Sequence, residues 1–252
     1  VDNTALGPSI GGVRVSLDVT VEEVKRLART MTMKCSIAGL SHVGGKAGII
    51  ADSRSPEKEH YFRLFAQAIK DLHEYIPGPD MGSNEECMAW IHDEIGRVAG
   101  LPEEIGGLPL DKLGATGLGL AECAEVACPY ANIELKGAKV VIQGFGSVGK
   151  AAAKFLSERG AVVVAVSDTK GSICNPDGLD VKESMDVKEE TGSVIHYKKG
   201  AVKKCEELFL TPCDILIPAA APDVINKDNV EGVKAKLILQ GANIPATLEA
   251  EE

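Results

Sequence analysis

The stretch that decides the fold is Lys139-Val140-Val141-Ile142-Gln143-Gly144-Phe145-Gly146-Ser147-Val148-Gly149. Its β-branched run predicts a buried strand, and residues 151–158 predict a helix directly after it. A Gly-x-Gly-x-x-Gly pattern alone is weak evidence, but between a strand and a helix it is strong. Gly144 would then make the tight turn, Gly146 would let a pyrophosphate approach the backbone, and Gly149 would pack the helix against the strand.

The residues around this pattern extend the prediction to a dinucleotide. Ser147 and Val148 lie at the amino terminus of the predicted helix, where backbone N–H groups attract an anion. Asp168 closes the next predicted strand about 20 residues later, where a carboxylate would accept hydrogen bonds from ribose hydroxyls. Its charge favours NAD, whereas Lys170 could offset repulsion of a 2′-phosphate and admit NADP. A glycine turn of an α/β fold without a ligand is the alternative interpretation.

Short β-branched runs alternate with helical patterns through the second half of the chain. The predicted strands are Lys139–Gln143, Val162–Val166, Ile215–Ile217 and Leu237–Gln240. Strands that alternate with helices predict a parallel sheet built from βαβ units. The segment 168–180, rich in Gly, Asn, Pro and Asp, predicts a hairpin or loop on that sheet. A polar turn at 134–137 predicts a boundary between two domains, residues 1–133 and 134–252.

The first half of the chain predicts several amphipathic helices. A capping box at Thr20–Glu23 opens the first, Ser55-Pro56-Glu57 the second and Ser83–Glu86 the third, and a fourth runs from about Gly117 to Val126. The apolar stripes of the first two helices comprise Val21, Val24, Leu27, Ala28 and Met31, and Phe62, Phe65, Ala66, Ile69 and Leu72. Together with the second half, this pattern predicts an α/β protein.

Composition narrows the class of protein. The 252 residues are 44% apolar and 25% charged, as in a globular protein, and the net charge of -10 argues against nucleic acid and anionic membranes as partners. The sequence shows neither a membrane span nor a signal pattern. Seven scattered cysteines predict reduced thiols and a cytoplasmic location, and neither Cys nor His spacing supports a metal site. The chain starts without methionine, so we expect it to be a segment of a longer protein.

Lys46 lies in an unusual setting, Val43-Gly44-Gly45-Lys46-Ala47-Gly48. A lysine crowded by apolar groups loses solvation and gives up its proton more easily, which makes an amine base near neutral pH. The phosphate-loop interpretation fails because Ala47 follows the lysine where Ser or Thr is needed. Taken singly, Lys34 fits a cation at a helix carboxyl end, Asp80 fits a turn residue, and Arg14 is predicted to be a surface residue.

An ordered series of motifs resembles the glutamate/leucine/phenylalanine/valine dehydrogenases. The series runs through Gly7 to Arg14, Met33-Lys34, Gly44-Gly45-Lys46, Pro79-Asp80-x-Gly82, Ala115-Thr116-Gly117, the glycine pattern at 144–149 and Gly241-Ala242-Asn243. The resemblance implies that residues 1–133 form a substrate-binding and catalytic domain and residues 134–252 a Rossmann-type dinucleotide-binding domain. It also implies the reversible conversion of an L-amino acid to a 2-oxo acid and ammonium with NAD, or with NADP where Lys170 offsets the repulsion of its 2′-phosphate.

The resemblance assigns roles residue by residue. Lys34, with Gly12 and Ile10, would bind the substrate. Lys46 would be the catalytic lysine, and Asp80 would carry protons to and from the amino group. The remaining assignments are cofactor contacts at Thr116, Ala219, Ala220 and Asn243.

Two departures from the family pattern keep alternatives open. Ile10 stands where glutamate-specific members carry a lysine, which favours a non-acidic substrate of the leucine or valine type; a buried, unpaired glutamate carboxylate would cost several kcal/mol. The second half nevertheless resembles the glutamate branch, so a glutamate dehydrogenase with an altered anchor is the second hypothesis. Structure that the family has ahead of Gly7 and after Asn243 is missing, and an inactive nucleotide-binding fragment is the third. We expect the full-length parent to be a homo-oligomer.

Overall fold

The computed structural model describes residues 1–252, apart from the side chain of Asp111. It divides into two compact units, Val1–Pro109 and Leu110–Glu252. Each unit combines helices with a β-sheet, which confirms the predicted α/β class.

The first unit is built around one long strand. Its elements are β1 (Ser9–Ser16), α1 (Val21–Ile37), β2 (Val43–Gly44), β3 (Ala47–Ile50), α2 (Lys58–Ala68), β4 (Tyr75–Gly78), α3 (Glu85–Ile95) and a 3-10 turn at Glu103–Ile105. Strand β1 pairs in parallel with β2, β3 and β4. Parallel strands end at the same edge of a sheet, so the residues that follow β2 and β4 come close to β1.

Helices α2 and α3 cover one face of β1. Val13 and Val15 of β1 are buried together with a cluster from the two helices, comprising Phe62, Ala66, Cys87, Met88 and Ile91. Because side chains alternate along a strand, this packing leaves Ile10, Gly12 and Arg14 on the opposite face. Strand β1 therefore has one face that packs into the apolar core and an opposite face that carries the charged residue Arg14.

The helix caps lie where the sequence predicts them, but two residues of the predicted buried stripes are exposed. Thr20 accepts a hydrogen bond from Glu23 N–H and Asn84 accepts one from Cys87 N–H, which confirms the predicted helix starts. Val21, by contrast, is 78% exposed, and Leu72 lies beyond the end of α2 and is also exposed. Val21 occupies the first position of α1, where the buried stripe has not yet begun.

The second unit contains a six-stranded sheet. Its helices are α4 (Leu110–Leu113), α5 (Ala115–Ala127), α6 (Ser147–Glu158), α7 (Val181–Thr191) and α8 (Leu248–Glu251), with 3-10 turns at Cys128–Ala131, Val194–His196, Glu206–Leu210 and Val230–Gly232. Its strands are β5 (Lys139–Gln143), β6 (Val162–Asp168), β7 (Gly171–Cys174), β8 (Ala201–Lys203), β9 (Ile215–Pro218) and β10 (Leu237–Ile238), in the order β10-β9-β5-β6-β7-β8.

Four strands of this sheet are parallel and two are antiparallel. β10, β9, β5 and β6 run in parallel, as the alternating pattern predicts. β7 and β8 are antiparallel, and β6 with β7 forms the predicted hairpin. Both sheet faces are covered: Val140 and Ile142 lie in one buried cluster, and Val141 lies in another. A strand buried on both faces explains why 139–143 has a continuous rather than an alternating apolar run.

The structural boundary lies earlier in the chain than the predicted one at 133/134. Helix α5 belongs to the second unit because it packs closely against α6. A methyl group at Gly117 would lie 2.4 Å from both the Ala151 Cβ and the Ala152 nitrogen. The small residues of α5 thus serve close helix packing, and the polar turn at 134–137 only connects this helix to β5.

Among the described residues, no helix has the length and apolar character required to cross a bilayer.

Candidate functional sites

Lys46 occupies the junction between β2 and β3, where glycines let the backbone approach β1. Gly45 N–H donates to the Ile10 carbonyl at 3.0 Å, and a methyl group at Gly11 would lie 1.6 Å from the Gly45 carbonyl oxygen. This contact fixes the backbone next to Lys46. The side chain of Lys46 is only 2% exposed, and its Nζ lies 2.8 Å from Asp80 Oδ1.

Asp80 is held by the turn that follows β4 and by the face of β1. The Ser83 hydroxyl is 2.8 Å from both the Asp80 nitrogen, from which it accepts, and the Val13 carbonyl oxygen, to which it donates. Gly12 lies directly beneath the carboxylate side chain, since a methyl group there would be 2.5 Å from the Asp80 Cβ. Lys46 and Asp80 are far apart in the sequence, and the parallel pairing of β2 and β4 with β1 brings the residues that follow these strands together.

Arg14 joins the same cluster, although the sequence predicts a surface residue. Its side chain is only 6% exposed, its Nε donates to Asp80 Oδ2 at 2.9 Å, and its Nη1 donates to Glu23 Oε1 of α1. The surface prediction was therefore wrong: the guanidinium is buried because two carboxylates satisfy it. The available sequence signal was its position in a strand, between the buried residues Val13 and Val15.

The surroundings of Lys46 favour its neutral form. Burial lowers the pKa of Lys46 below the ordinary lysine value, and the ion pair with Asp80 acts in the opposite direction. The positive charges of Arg14 and Lys34 add to the lowering, and the net pKa is lowered. A buried amine beside a carboxylate can exchange protons at a pH where an exposed lysine would stay charged.

The remaining predicted substrate residues lie on the same unit. Lys34 is in the last turn of α1, is exposed, and acts electrostatically on Lys46. Ile10 of β1 is half-buried and pairs with Gly44 and Ile76 on its neighbouring strands. Strand alternation puts Ile10 on the face of β1 that also carries Gly12 and Arg14. Their roles in substrate binding stay predictions.

The glycine pattern of the second unit has the local geometry that its sequence predicts. Gly144 has a φ of 93°, which favours glycine, and a methyl group at Gly149 would lie 1.9 Å from the Gly144 carbonyl oxygen. A methyl group at Gly146 would meet open space. The turn and the close packing of α6 on β5 therefore require Gly144 and Gly149, while Gly146 leaves the approach to the helix amino terminus clear.

Two further predicted segments adjoin this turn. Ala219 N–H donates to the Gln143 carbonyl at 2.7 Å, and a methyl group at Gly144 would lie 2.7 Å from the Ala220 Cβ. Gly241 N–H donates to the Pro218 carbonyl, which sets the segment carrying Asn243 beside Ala219. The carboxyl ends of β5, β9 and β10 thus meet at one edge of the sheet, where open α/β sheets bind their ligands.

Thr116 faces the same region from α5. A small cavity, open to solvent, is lined by Leu110, Gly114, Ala115, Thr116, Gly117, Ser147 and Val148. It therefore contains residues from the amino-terminal turns of both α5 and α6. Helix amino termini attract anions, so this cavity suits a phosphate group of a dinucleotide.

Asp168 lies at the end of β6, but its carboxylate already has four donors within the chain. Oδ1 accepts from Lys170 N–H and the Ser193 hydroxyl, and Oδ2 accepts from Val194 N–H and the Lys188 ammonium, at 2.8–3.3 Å. Burial acts to raise the pKa of Asp168, but these hydrogen bonds and the Lys188 charge lower it overall. The side chain is 5% exposed. A ribose hydroxyl would have to share or displace these bonds, so the predicted ribose contact stays a prediction.

Both units match one protein family. The family model described as "Glu/Leu/Phe/Val dehydrogenase, dimerisation domain" matches residues 1–97, and the model described as "Glutamate/Leucine/Phenylalanine/Valine dehydrogenase" matches residues 106–252. The fold and sites thus define a two-unit α/β protein whose second unit is of the Rossmann type. The chain belongs to the glutamate/leucine/phenylalanine/valine dehydrogenase family, as its motifs predict.

Individual relatives agree with this assignment. The chain is 42% identical to the NADP-specific glutamate dehydrogenase of Saccharolobus shibatae, and the match covers 99% of this chain and 62% of that protein. It is 39% identical to the NAD-specific glutamate dehydrogenase of Staphylococcus aureus, over 98% of this chain and 63% of that protein. The chain therefore spans a little over three fifths of the length of these relatives.

A solved structure has the same architecture. The hetero-hexameric glutamate dehydrogenase from Thermus thermophilus, in a leucine-bound form, superposes with a TM-score of 0.88 at 33% identity. The superposition covers 99% of this chain and 62% of that one. These relatives are named as glutamate dehydrogenases, and none of the three is named as specific for leucine or valine.

Proposed function

We propose that the protein of which this chain forms part is an NAD(P)-dependent amino-acid dehydrogenase. The reaction would convert an L-amino acid, NAD(P) and water to a 2-oxo acid, ammonium, NAD(P)H and a proton. The observation that carries this proposal is the buried pair of Lys46 and Asp80, separated by 2.8 Å. An amine and a carboxylate in this arrangement form an acid–base unit, and family membership supplies the reaction class.

A dinucleotide fits the residues of the second unit. The open space at Gly146 and the cavity at the amino-terminal turns of α5 and α6 suit its phosphates. Gly144, Ser147, Val148 and Gly149 would hold the pyrophosphate region. Thr116, Ala219, Ala220 and Asn243 would contact the rest of the cofactor. When bound, the nicotinamide would supply the hydride acceptor.

The residues of the first unit would bind the substrate and move protons. Lys34 would attract the substrate α-carboxylate as a point charge. The neutral amine of Lys46 would assist attack of water on the substrate iminium carbon and stabilise the resulting carbinolamine. Asp80 would carry protons to and from the substrate amino group, and Lys46 would exchange protons with it at 2.8 Å.

Two observations point to different substrates. Ile10, on the same face of β1 as Gly12 and Arg14, favours an amino acid with an apolar or otherwise non-acidic side chain. The names of the relatives favour glutamate, for which another residue would have to bind the side-chain carboxylate. We favour the non-acidic substrate because specificity is set where the side chain contacts the protein.

One assay tests the reaction and separates the two substrates. Ammonium-dependent oxidation of NADH and NADPH is measured for the complete protein with branched, aromatic and acidic 2-oxo acids. Oxidation with branched or aromatic acids is expected. Oxidation confined to 2-oxoglutarate would establish the glutamate alternative, and no oxidation with any acid would reject the dehydrogenase proposal.

Separate observations bear on the assembly and the location of the complete protein. The match to a dimerisation domain favours a homo-oligomer for the complete protein, and the hetero-hexameric relative favours oligomeric assembly in general. All seven cysteines are free thiols, which favours a reducing compartment such as the cytoplasm.

A further inference from the structure

The carboxylate of Asp80 is shared between two buried cations. Oδ1 lies 2.8 Å from Lys46 Nζ, and Oδ2 lies 2.9 Å from Arg14 Nε. Both cationic side chains are almost fully buried, so water cannot replace the carboxylate as their hydrogen-bond partner. Arg14 consequently fixes the orientation of the Asp80 carboxylate, whose other oxygen faces Lys46.

The two cations differ in what they can do with a proton. Arginine stays charged at any pH at which the protein is folded, whereas a buried lysine can lose its proton. With Asp80 and Glu23 ionised, the cluster is neutral when Lys46 is charged. The arginine thus supplies a permanent positive charge next to the amine, and it also occupies one oxygen of the only carboxylate that is ion-paired with Lys46 among the described residues.

We propose that Arg14 is a positioning residue for this acid–base pair: it holds one oxygen of Asp80, and its fixed charge favours the neutral form of the Lys46 amine. This inference rests on the proposed function, because it gives Lys46 and Asp80 their roles. Glu23, at the start of α1, would hold the other side of the guanidinium in place.

The charged groups around the pair act on Lys46 in both directions, and Asp80 is the group that favours the charged amine. The positive charge of Lys34, like that of Arg14, lowers the pKa of Lys46 and favours the neutral amine. Tyr75 of β4 donates to the Gly11 carbonyl at 2.9 Å, and burial with the Asp80 charge raises its pKa, so it stays neutral. Around Arg14, Asp18 is a further nearby carboxylate beyond Glu23 and Asp80.

The direct test measures the protonation of Lys46 without requiring turnover. The protein is labelled with ¹³C at the lysine Cε atoms, and the Lys46 signal, assigned by its loss in Lys46→Arg, is followed by NMR as a function of pH. Arg14→Gln is expected to shift the Lys46 titration to higher pH, because a nearby positive charge is removed. Arg14→Lys, which keeps the charge, is expected to restore most of the difference.

A matched control separates positioning from mere stability. Arg97 lies in the same unit and donates to the Tyr75, Lys70, Ile69 and Leu72 carbonyls rather than to Asp80. Arg97→Gln is expected to lower thermal stability and leave the Lys46 titration unchanged. An unchanged titration in Arg14→Gln, or an equal shift in Arg97→Gln, would overturn the proposal.

The pH profile of turnover gives a second readout. The acidic limb of kcat is expected to move to higher pH in Arg14→Gln by the same amount as the Lys46 titration. Should Arg14→Gln fail to fold because Glu23 loses its cation, the double variant Arg14→Gln/Glu23→Gln is compared with Glu23→Gln alone, so that the two proteins again differ only at Arg14. Absence of turnover in the unmodified protein would reject the dehydrogenase function, while the NMR titration would still decide whether Arg14 controls Lys46.

Discussion

Gly12 and Asp80 are packed so closely that no other residue fits at position 12 without displacing the carboxylate. A methyl group at Gly12 would lie 2.5 Å from the Asp80 Cβ and 2.8 Å from the Pro79 carbonyl oxygen. Backbone of β1 and side chain of Asp80 therefore touch directly. This contact, together with the Ser83 hydroxyl, holds Asp80 within hydrogen-bond distance of Lys46.

Gly12→Ala is expected to move Asp80 away from Lys46. A displacement of about 1 Å would lower kcat on the order of 10²-fold, and the added methyl would lower the free energy of unfolding by roughly 1–3 kcal/mol. Steady-state kinetics and thermal unfolding measure the two effects. If kcat and the unfolding temperature both stayed at the unmodified values, the contact would not be needed to position Asp80.

Lys46→Ala is expected to abolish turnover while NADH still binds. Losing a positioned acid–base group lowers the rate on the order of 10²–10⁴-fold, and the predicted dinucleotide residues all lie in the other unit. In the unmodified protein, kcat should rise with pH through a pKa below the ordinary lysine value of 10.5. NADH fluorescence titration and the pH profile provide the measurements. Loss of NADH binding in step with turnover would indicate a packing role for the lysine.

Asp168→Asn is expected to destabilise the second unit. The amide would leave buried donors unsatisfied, at roughly 1–3 kcal/mol of unfolding free energy. The pKa of Asp168 is below its ordinary value of 3.8, so ionised Asp168 stabilises the fold above that pH and loses its contribution as the pH falls through the lowered pKa. The difference in unfolding free energy between the unmodified protein and Asp168→Asn should therefore be largest at pH 7 and decrease as the pH falls.

Chemical denaturation at several pH values measures this difference, and Asp177→Asn is the matched control. Asp177 is an exposed aspartate in the loop after β7, so its replacement should leave stability unchanged. Loss of NADH affinity in Asp168→Asn at unchanged stability would instead support a direct contact between this carboxylate and the ribose.

Gly119→Ala is expected to stabilise the chain. Gly119 lies inside α5, and a methyl group there would meet open space. Alanine is a better helix former than glycine by about 1 kcal/mol, so the unfolding free energy should rise by up to that amount. Thermal unfolding checks the gain. A decrease would show that position 119 is covered in the complete protein.

The strands of the second unit could be predicted because their sequence signal is local. β5 has the bounds Lys139–Gln143 that its apolar run predicts. In the first unit, β1 is interrupted by Gly11 and Gly12 and β2 has only two residues, so no run of β-branched residues marks them. These strands form because β1 pairs with segments distant in sequence, which a local pattern does not contain.

The sequence predicts which residues form the candidate site, but it does not predict which hydrogen bonds and ion pairs these residues make. The glycine-rich setting of Lys46 reflects real close contacts with β1 and predicts a special environment. The partners of Arg14 come from α1 and from the turn after β4, so its burial depends on tertiary pairing. Likewise, nothing in the local sequence of Asp168 shows that Ser193 and Val194 bind its carboxylate.

Ile10→Lys is expected to shift the substrate preference towards 2-oxoglutarate. A lysine at this position, on the β1 face that carries Gly12 and Arg14, would give a side-chain carboxylate a cationic partner. The ratio of kcat/KM for 2-oxoglutarate to that for a branched 2-oxo acid should increase on the order of 10-fold or more, since leaving a buried substrate carboxylate unpaired costs several kcal/mol and about 1.4 kcal/mol corresponds to a tenfold change. Ile10→Met is the control, because it keeps an apolar side chain of similar volume and should preserve the ratio. An unchanged ratio in Ile10→Lys would show that another residue sets the specificity, and equal ratios in both variants would assign the change to packing rather than charge.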